Sequence, residues 1–270
     1  MNKRKVIPVM TIAGSDCSAG SGLQADIKTF QHFGLHGLTA VTCIVSETSS
    51  TVRRVDPVDP SMMEDQIRLM LASFPLQVAK TGMLGTAEHI RRTACIFREH
   101  VGISLVIDPV MVASTGTSLI DKNAVEIYKS ELLPLARVIT PNLPEAETLL
   151  GGSIESISEM ESAARELSRQ YGCAVLLKGG HLGESACTDI LFDNGRMHSF
   201  SSPRLDVAAS HGTGCTLAAA VASGLALGRN LPDSVGVAKD YLGECLASSY
   251  SFESPVGGQI HALNQGTFIV

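Results

Sequence analysis

No stretch of this chain reaches the roughly 18 consecutive apolar residues of a membrane-spanning helix, so the sequence offers no candidate span. A basic surplus is lacking too. The formal net charge is −6, which indicates neither nucleic acid nor an anionic membrane surface as main partner and leaves a small molecule as the expected one. With 44% hydrophobic and 18% charged residues and no low-complexity tract, disorder and coiled coil are excluded. Neither CxxC nor HExxH occurs, and an odd count of seven cysteines suits a reducing cytosol better than a disulfide framework. The Walker lysine motif is missing, which excludes a P-loop kinase. Asn2 to Lys5 ahead of Val6 to Ala13 superficially mimic a signal peptide, but the apolar run is short and ends in a glycine loop, so it reads as a first strand. The expected location is the cytoplasm.

What is present alternates between short apolar runs and amphipathic segments. Val6–Ile12, Leu38–Val45, Val78–Thr81, Ser104–Ile107, Arg137–Thr140 and Ala174–Leu177 read as strands. Between them, helices are expected from Leu23 to Gly34, Pro60 to Ser73, Thr86 to His100, Lys122 to Leu133, after Asn142, and from Glu159 to Tyr171, where Glu161 and Arg165 have i, i+4 spacing. This βαβα order predicts a mostly parallel sheet with helices on both faces. Asp189–Phe192 and Met197–Ser201 flank Asp193-Asn194-Gly195, a hairpin signal that places an antiparallel pair at the sheet edge. With no repeat or linker, one domain over 1–270 is the economical reading.

Several strand ends carry chemistry, and ligands of open α/β sheets bind there. Glu47 ends one strand, Gly82-Met83 another, and Asp108-Pro109-Val110-Met111 a third. Asn142 and Glu145 have capping-box spacing, and the same amide and carboxylate could also hold an octahedral Mg²⁺ with its waters. Lys178 beside Gly179-Gly180-His181 can reach a phosphate. Finally, Ser210-His211-Gly212-Thr213-Gly214-Cys215 turns directly into a run of small apolar residues that reads as a helix to Leu227, ahead of a last helix near Asp233–Ser248. Unpaired amides at that helix start suit phosphate charge, and Cys215 in the first turn would be favoured as a thiolate. The alternatives are an ordinary glycine loop and a buried core cysteine.

Taken together, Thr11–Asp16, Gln24–Phe30, Lys80–Leu84, Asp108–Met111, Thr140–Ala146, Lys178–His181 and His211–Leu217 resemble the hydroxymethylpyrimidine and phosphomethylpyrimidine kinases. These have the ribokinase-like fold, a three-layer α/β/α architecture, and are relatives of the pyridoxal kinases. The resemblance covers nearly the whole chain in order. It implies ATP-dependent phosphorylation of a hydroxymethyl group on an aromatic nitrogen heterocycle in thiamine biosynthesis, with Mg²⁺ as cofactor and a homodimer as assembly. It further implies a substrate pocket lined by Gly14, Asp26, Glu47, Met83 and Val110, with Glu47 accepting from the ring amino group. Asn142 and Glu145 would order Mg²⁺, Asp108 would lie near metal and phosphates, and Lys178 would sit on the nucleotide phosphates. Gly212, Thr213, Gly214 and Cys215 would form the anion hole, with the Cys215 thiolate accepting the substrate proton.

Pyridoxal kinases share the anion hole, the lysine and the magnesium motif, so pyridoxal or pyridoxine is the alternative substrate. Glu47 favours the pyrimidine. Ser49-Ser50-Thr51 and the tail Gly257–His261 depart from the family's usual pattern. A dinucleotide-binding oxidoreductase would need GxGxxG after the first strand and a ribose-binding acid beyond it, and neither spacing is met. A carrier that has lost catalysis is disfavoured by the presence of Asn142, Glu145, Lys178 and Cys215 together.

Overall fold

The computed structural model describes residues 6–111, 122–180 and 186–266; His181, named above with the Lys178 motif, lies outside them. Strand β1 (Pro8–Asp16), helix α1 (Gly22–His32), strand β2 (His36–Thr48), strand β3 (Thr51–Pro57) and helix α2 (Pro60–Ser73) open the chain. They are followed by β4 (Val78–Thr81), α3 (Ala87–Glu99), β5 (Ser104–Ile107), α4 (Lys122–Ile127), β6 (Val138–Ile139), α5 (Leu143–Leu150), α6 (Ile157–Tyr171) and β7 (Ala174–Leu177). The hairpin β8 (Ala186–Asp193) and β9 (Arg196–Pro203), helices α7 (Thr213–Ala226) and α8 (Leu231–Ala247), and strands β10 (Tyr250–Glu253) and β11 (Gln259–Ala262) complete the described elements.

One sheet of nine strands runs in the order β3-β2-β1-β4-β5-β6-β7-β8-β9. From β2 to β7 every pairing is parallel, while β3 at one edge and β8–β9 at the other are antiparallel. The central strands β4 and β7 are buried along their whole length, as parallel strands covered on both faces must be. Met63, Ile67, Ile90, Phe97 and Leu167 from α2, α3 and α6 form the core on one face. On the other face Phe30 of α1, Val221 of α7 and Val235 of α8 pack against Val9, Val106 and Leu176. Helix α7 is buried on nearly every side because alanines dominate its middle and let it lie close to β1, β4 and β5. This is the expected three-layer α/β/α arrangement, with an antiparallel hairpin at an edge.

Several local expectations need correction. The first strand does not stop before Gly14 but continues to Asp16 through a register shift between Ala13 and Ser15, because Gly14 lets β1 pass close to Cys43 of β2. Likewise β2 runs past Val45 to Thr48 and returns as β3, so Ser49-Ser50 is a hairpin turn. The helix expected over Lys122–Leu133 loses α-helical geometry after Ile127, passing through a π turn at Tyr128–Leu132 and a 3₁₀ turn at Leu133–Leu135 that contains Pro134. Arg165, spaced i, i+4 from Glu161, packs its guanidinium over the Phe192 ring, 5.9 Å from the centroid. The tail around Gly257–His261 enters β11, which pairs with β10 apart from the main sheet. At the β8–β9 turn Asn194 and Gly195 have φ of 48° and 76°, the left-handed pair of a tight hairpin.

Candidate active site

Because β1, β2, β4, β5, β6 and β7 are parallel, the residues at or just beyond their carboxyl ends share one rim of the sheet. Gly14, Glu47, Met83, Asp108, Val110, Asn142, Glu145 and Lys178 lie along it, and the start of α7 packs over the same rim. All of them, with Gly212, Thr213, Gly214 and Cys215, line one cleft of about 600 Å³. Ser21, Gly22 and Val52 add to its wall. Of the residues expected in the pocket, only Asp26 is elsewhere.

Asp26 is fully buried in α1, where its carboxylate accepts from Lys80 Nζ at 2.8 and 3.0 Å and from Thr11 Oγ1 at 2.6 Å. Lys80 is buried as completely. Burial alone would lower the Lys80 ammonium, yet Asp26, with Cys215 and Asp108 nearby, holds it above its ordinary value. A buried charge needs such a partner, so Asp26 supports the floor of the site and does not face the cleft.

The phosphate side is built on Lys178. Its Nζ lies 2.9 Å from Asp108 Oδ1, which also accepts from Thr140 Oγ1 at 3.0 Å. Burial opposes ionisation of Asp108, but Lys178 and Lys80 hold it below its ordinary value. Gly214 fits against this pair: a Cβ there would stand 3.3 Å from Lys178 Nζ and 3.6 Å from Asp108 Oδ2. Gly212 caps α7 at φ 83° and has no side chain to satisfy the first amides; Thr213 N–H donates to the Ser210 carbonyl at 3.4 Å, while the Gly214 and Cys215 amides face the cleft side of the turn and can serve an anion. Any Cβ at Gly212 would collide with the Gly20 carbonyl.

Asn142 and Glu145 do form the capping box. Asn142 Oδ1 accepts from the Glu145 amide at 2.9 Å and Glu145 Oε2 accepts from the Asn142 amide at 2.8 Å. Burial pushes the Glu145 carboxyl up to about 7; Lys178 opposes the shift and Asp108 adds to it.

The Cys215 thiolate expected from the helix start meets an opposing cost in its surroundings. Cys215 stands in the first turn of α7, and burial pushes its thiol up to about 11, against the pull of Lys80 and with the help of Asp26 and Asp108. Two helix starts meet here, since the Gly22 N–H at the head of α1 also faces the sulfur. Their dipoles favour the anion but do not offset the desolvation of the thiolate.

Sequence reading missed the role of Asp16. Buried at the end of β1, it accepts from the Ser18, Gly20 and Ser21 amides at 2.7, 3.1 and 2.8 Å, from the Ser18 and Ser21 hydroxyls, and from His211 Nε2 at 3.0 Å. Burial would raise this carboxyl, but these donors hold it well below the usual carboxylate range. The signal was there to read: an aspartate followed within five residues by Ser18, Gly20 and Ser21 can close a loop on itself. Asp16, Glu47 and His211 bring donor atoms within 4.8 Å of one another. Burial and the Asp16 charge together raise the Glu47 carboxyl, with His211 opposing.

A second cavity of about 360 Å³ adjoins the first across Asn142, Lys178, Gly180, Thr213 and Gly214. Leu205, Leu217, Leu242 and Leu246 give it apolar walls, and Lys239 stands at its side, paired with Asp189 at 2.6 Å. An apolar chamber behind a lysine and a helix start suits a flat base attached to phosphates.

A family model described as phosphomethylpyrimidine kinase matches residues 16–259. The chain is 43% identical over 244 residues to the thiamine biosynthesis bifunctional protein ThiED of Geobacter sulfurreducens, covering 89% of this chain and 50% of that protein. It thus spans about half the length of that relative, as it does of two others, from Schizosaccharomyces pombe and Arabidopsis thaliana. It is 40% identical over 238 residues to the hydroxymethylpyrimidine/phosphomethylpyrimidine kinase of Haemophilus influenzae, covering 87% of this chain and 88% of that one. Among solved structures, the pyridoxal kinase from Staphylococcus aureus in complex with pyridoxal is similar, with a TM-score of 0.86, 33% identity and coverage of 97% and 94%. Its complex with ADP gives a TM-score of 0.88.

Proposed function

The chain belongs to the phosphomethylpyrimidine kinase family, and we propose that it transfers the γ-phosphoryl group of ATP to the hydroxymethyl oxygen of 4-amino-5-hydroxymethyl-2-methylpyrimidine, and then to the monophosphate so formed, in thiamine biosynthesis. The observation that carries this reading is one cleft lined both by Glu47, Met83 and Val110, to which we assign the ring, and by Lys178, Asp108 and the start of α7, to which we assign the phosphate end. Phosphoryl transfer asks chiefly for positioning and charge stabilisation, which that phosphate end can supply.

In this reading Glu47 accepts from the ring amino group and the hydroxymethyl arm points to Cys215. The hydroxymethyl oxygen bonds to the γ-phosphorus as the bond to the β-bridging oxygen breaks, and ADP leaves with the released charge. The amides of Gly212, Gly214 and Cys215 and Lys178 meet the charge on the equatorial oxygens, and the hydroxyl proton passes to Cys215. Asp108, Glu145 and Asn142 are the donors for Mg²⁺. They fit it, because two buried carboxylates and an amide oxygen form an all-oxygen donor set of the kind a hard cation takes, and a cation there would favour the ionised Glu145 that burial disfavours. When bound, Mg²⁺ supplies neutralisation of phosphate charge. The second cavity takes the adenine. We include in the same reading a single kinase unit over 1–270, a homodimer, and a cytoplasmic location; among the described residues no helix is long and apolar enough to cross a membrane.

A second reading, a pyridoxal or pyridoxine kinase, is favoured by the likeness to the Staphylococcus aureus enzyme. ADP release with the hydroxymethylpyrimidine, its monophosphate and pyridoxal offered separately decides between them. The pyrimidines are expected to turn over faster, and Glu47→Gln to raise their KM by roughly tenfold or more while leaving the KM for ATP unchanged. A strong preference for pyridoxal overturns the substrate assignment.

A further inference from the structure

Gln265 follows β11 and is 2% exposed, at the end of a segment anchored by the Asn264 amide on the Cys245 carbonyl and by Tyr241 Oη donating to the Gln265 carbonyl at 2.8 Å. From there its side-chain amide reaches the two loops that form the cleft. Nε2 donates to the Gly20 carbonyl at 3.2 Å and to Thr216 Oγ1 at 3.0 Å, although Gly20 is 245 residues away in sequence. Thr216 directly follows Cys215 in the first turn of α7, and Gly20 directly precedes Ser21 and Gly22 of the cleft wall. The same Gly20 carbonyl is what leaves no room for a side chain at Gly212. Gly20 N–H in turn donates to Asp16, which accepts from His211.

The loop from Asp16 to Gly22 and the turn from Ser210 to Thr216 are therefore pressed together at Gly20, and Gln265 is the one described side chain that hydrogen-bonds both Gly20 and Thr216. Its Oε1 is buried with no partner, so this amide leaves a desolvated oxygen in the interior while both donor bonds of its nitrogen are made. An apolar residue of the same length would fill the space without that cost. What this amide gives in return is the link its nitrogen makes between Gly20 and Thr216.

We propose that Gln265 is a positioning residue that sets the distance between the substrate wall and the anion cradle, by clamping the Gly20 carbonyl to Thr216. This rests on the kinase reading above for its effect on turnover. Displacement of a reacting group by about 1 Å can cost on the order of a hundredfold in rate, so a partial slip at this clamp is expected to act on kcat more than on binding.

The test compares Gln265→Met, Thr216→Val and Thr216→Ser with the wild-type chain. Gln265→Met keeps length and volume and removes both hydrogen bonds; it is expected to lower kcat about tenfold with the KM for ATP within about twofold. Thr216→Val should do the same, Thr216→Ser should keep wild-type turnover because it retains the hydroxyl, and the double variant Gln265→Met/Thr216→Val should lose no more than either single one. A second readout needs no substrate. The rate of iodoacetamide alkylation at Cys215, followed by peptide mass spectrometry, should change at least about threefold in Gln265→Met and Thr216→Val but not in Thr216→Ser.

Turnover per folded molecule and Cys215 alkylation that both match wild type, with only a lower melting temperature, would reduce Gln265 to packing and overturn the proposal. If Gln265→Met fails to fold, the Thr216 pair decides by the same measurements. If the wild-type chain phosphorylates none of the offered substrates, the kinase reading fails, while the alkylation series still tests the clamp.

Discussion

A thiol pushed up to about 11 keeps its proton at neutral pH, so a Cys215 that accepts the substrate proton acts through a small thiolate fraction. That fraction grows about tenfold for each pH unit below the titration point, and kcat is expected to rise in step between pH 7 and pH 9. Cys215→Ala should flatten the profile and lower kcat at pH 9 by roughly 10²–10⁴. A flat wild-type profile together with near-normal turnover of Cys215→Ala would confine this turn to its anion-binding amides. The place of Cys215 at a helix start was legible in Gly212-Thr213-Gly214, but its titration was not, because the desolvation comes from how tightly α1 and α7 meet. Asp26 shows the same limit. Its motif suggests the pocket, yet the residue that decides its environment is Lys80, which pairs with it 54 positions later in the chain. A lysine inside the short strand Val78–Thr81, buried along its whole length, was the available signal, since such a charge demands a carboxylate partner.

The start of α5 serves two ends at once. Asn142 and Glu145 satisfy each other's amides as a capping box, which the three-residue spacing announced. The structure adds that Glu145 is buried beside Asp108, and its carboxyl stands at about 7 against an ordinary 4.5. A carboxyl whose folded value is raised stabilises the fold fully below its unfolded value and loses that contribution as pH rises through the folded one. Between about pH 5 and pH 7.5 the ligand-free protein should therefore lose on the order of 2 kcal/mol from this group alone. Glu145→Gln keeps an acceptor for the Asn142 amide while removing the charge, so its melting temperature should fall less over that range than the wild type's. Added Mg²⁺ and ADP should narrow the wild-type loss, because a cation favours the ionised carboxylate. Equal pH dependence of the two melting curves would show that Glu145 is not the titrating group. Elements such as β5 and β7 were legible to the residue because short apolar runs make up most or all of them, and β4 because Val78-Ala79 leads into Lys80-Thr81 just before Gly82. The edge strands β3 and β10 were not, since they are largely exposed and carry no apolar period to read.

At the scale of the molecule, the alternation of strands and helices was enough to predict a parallel sheet and hence a rim where Glu47, Asp108, Asn142 and Lys178 meet, though they are scattered over more than 130 residues. The second cavity was beyond such reasoning. Its walls come from the end of β9, from α7 and from α8, and no local spacing links Leu205, Leu217 and Leu246. Two chambers joined at Lys178 and Gly214 lead to a kinetic expectation that neither chamber gives alone. If the ring end of the larger cleft takes both pyrimidine and pyridoxal, the two must exclude each other, because Glu47, Met83 and Val110 bound a single space. Pyridoxal should then be competitive against the hydroxymethylpyrimidine, with an inhibition constant within about twofold of its own KM as a substrate. Neither ring compound should be competitive against ATP, whose base would occupy the smaller chamber across the Lys178 wall. Competition between pyridoxal and ATP would instead place the vitamer in the smaller chamber. It would thereby separate the two substrate readings physically, giving each ring a different chamber of the same rim.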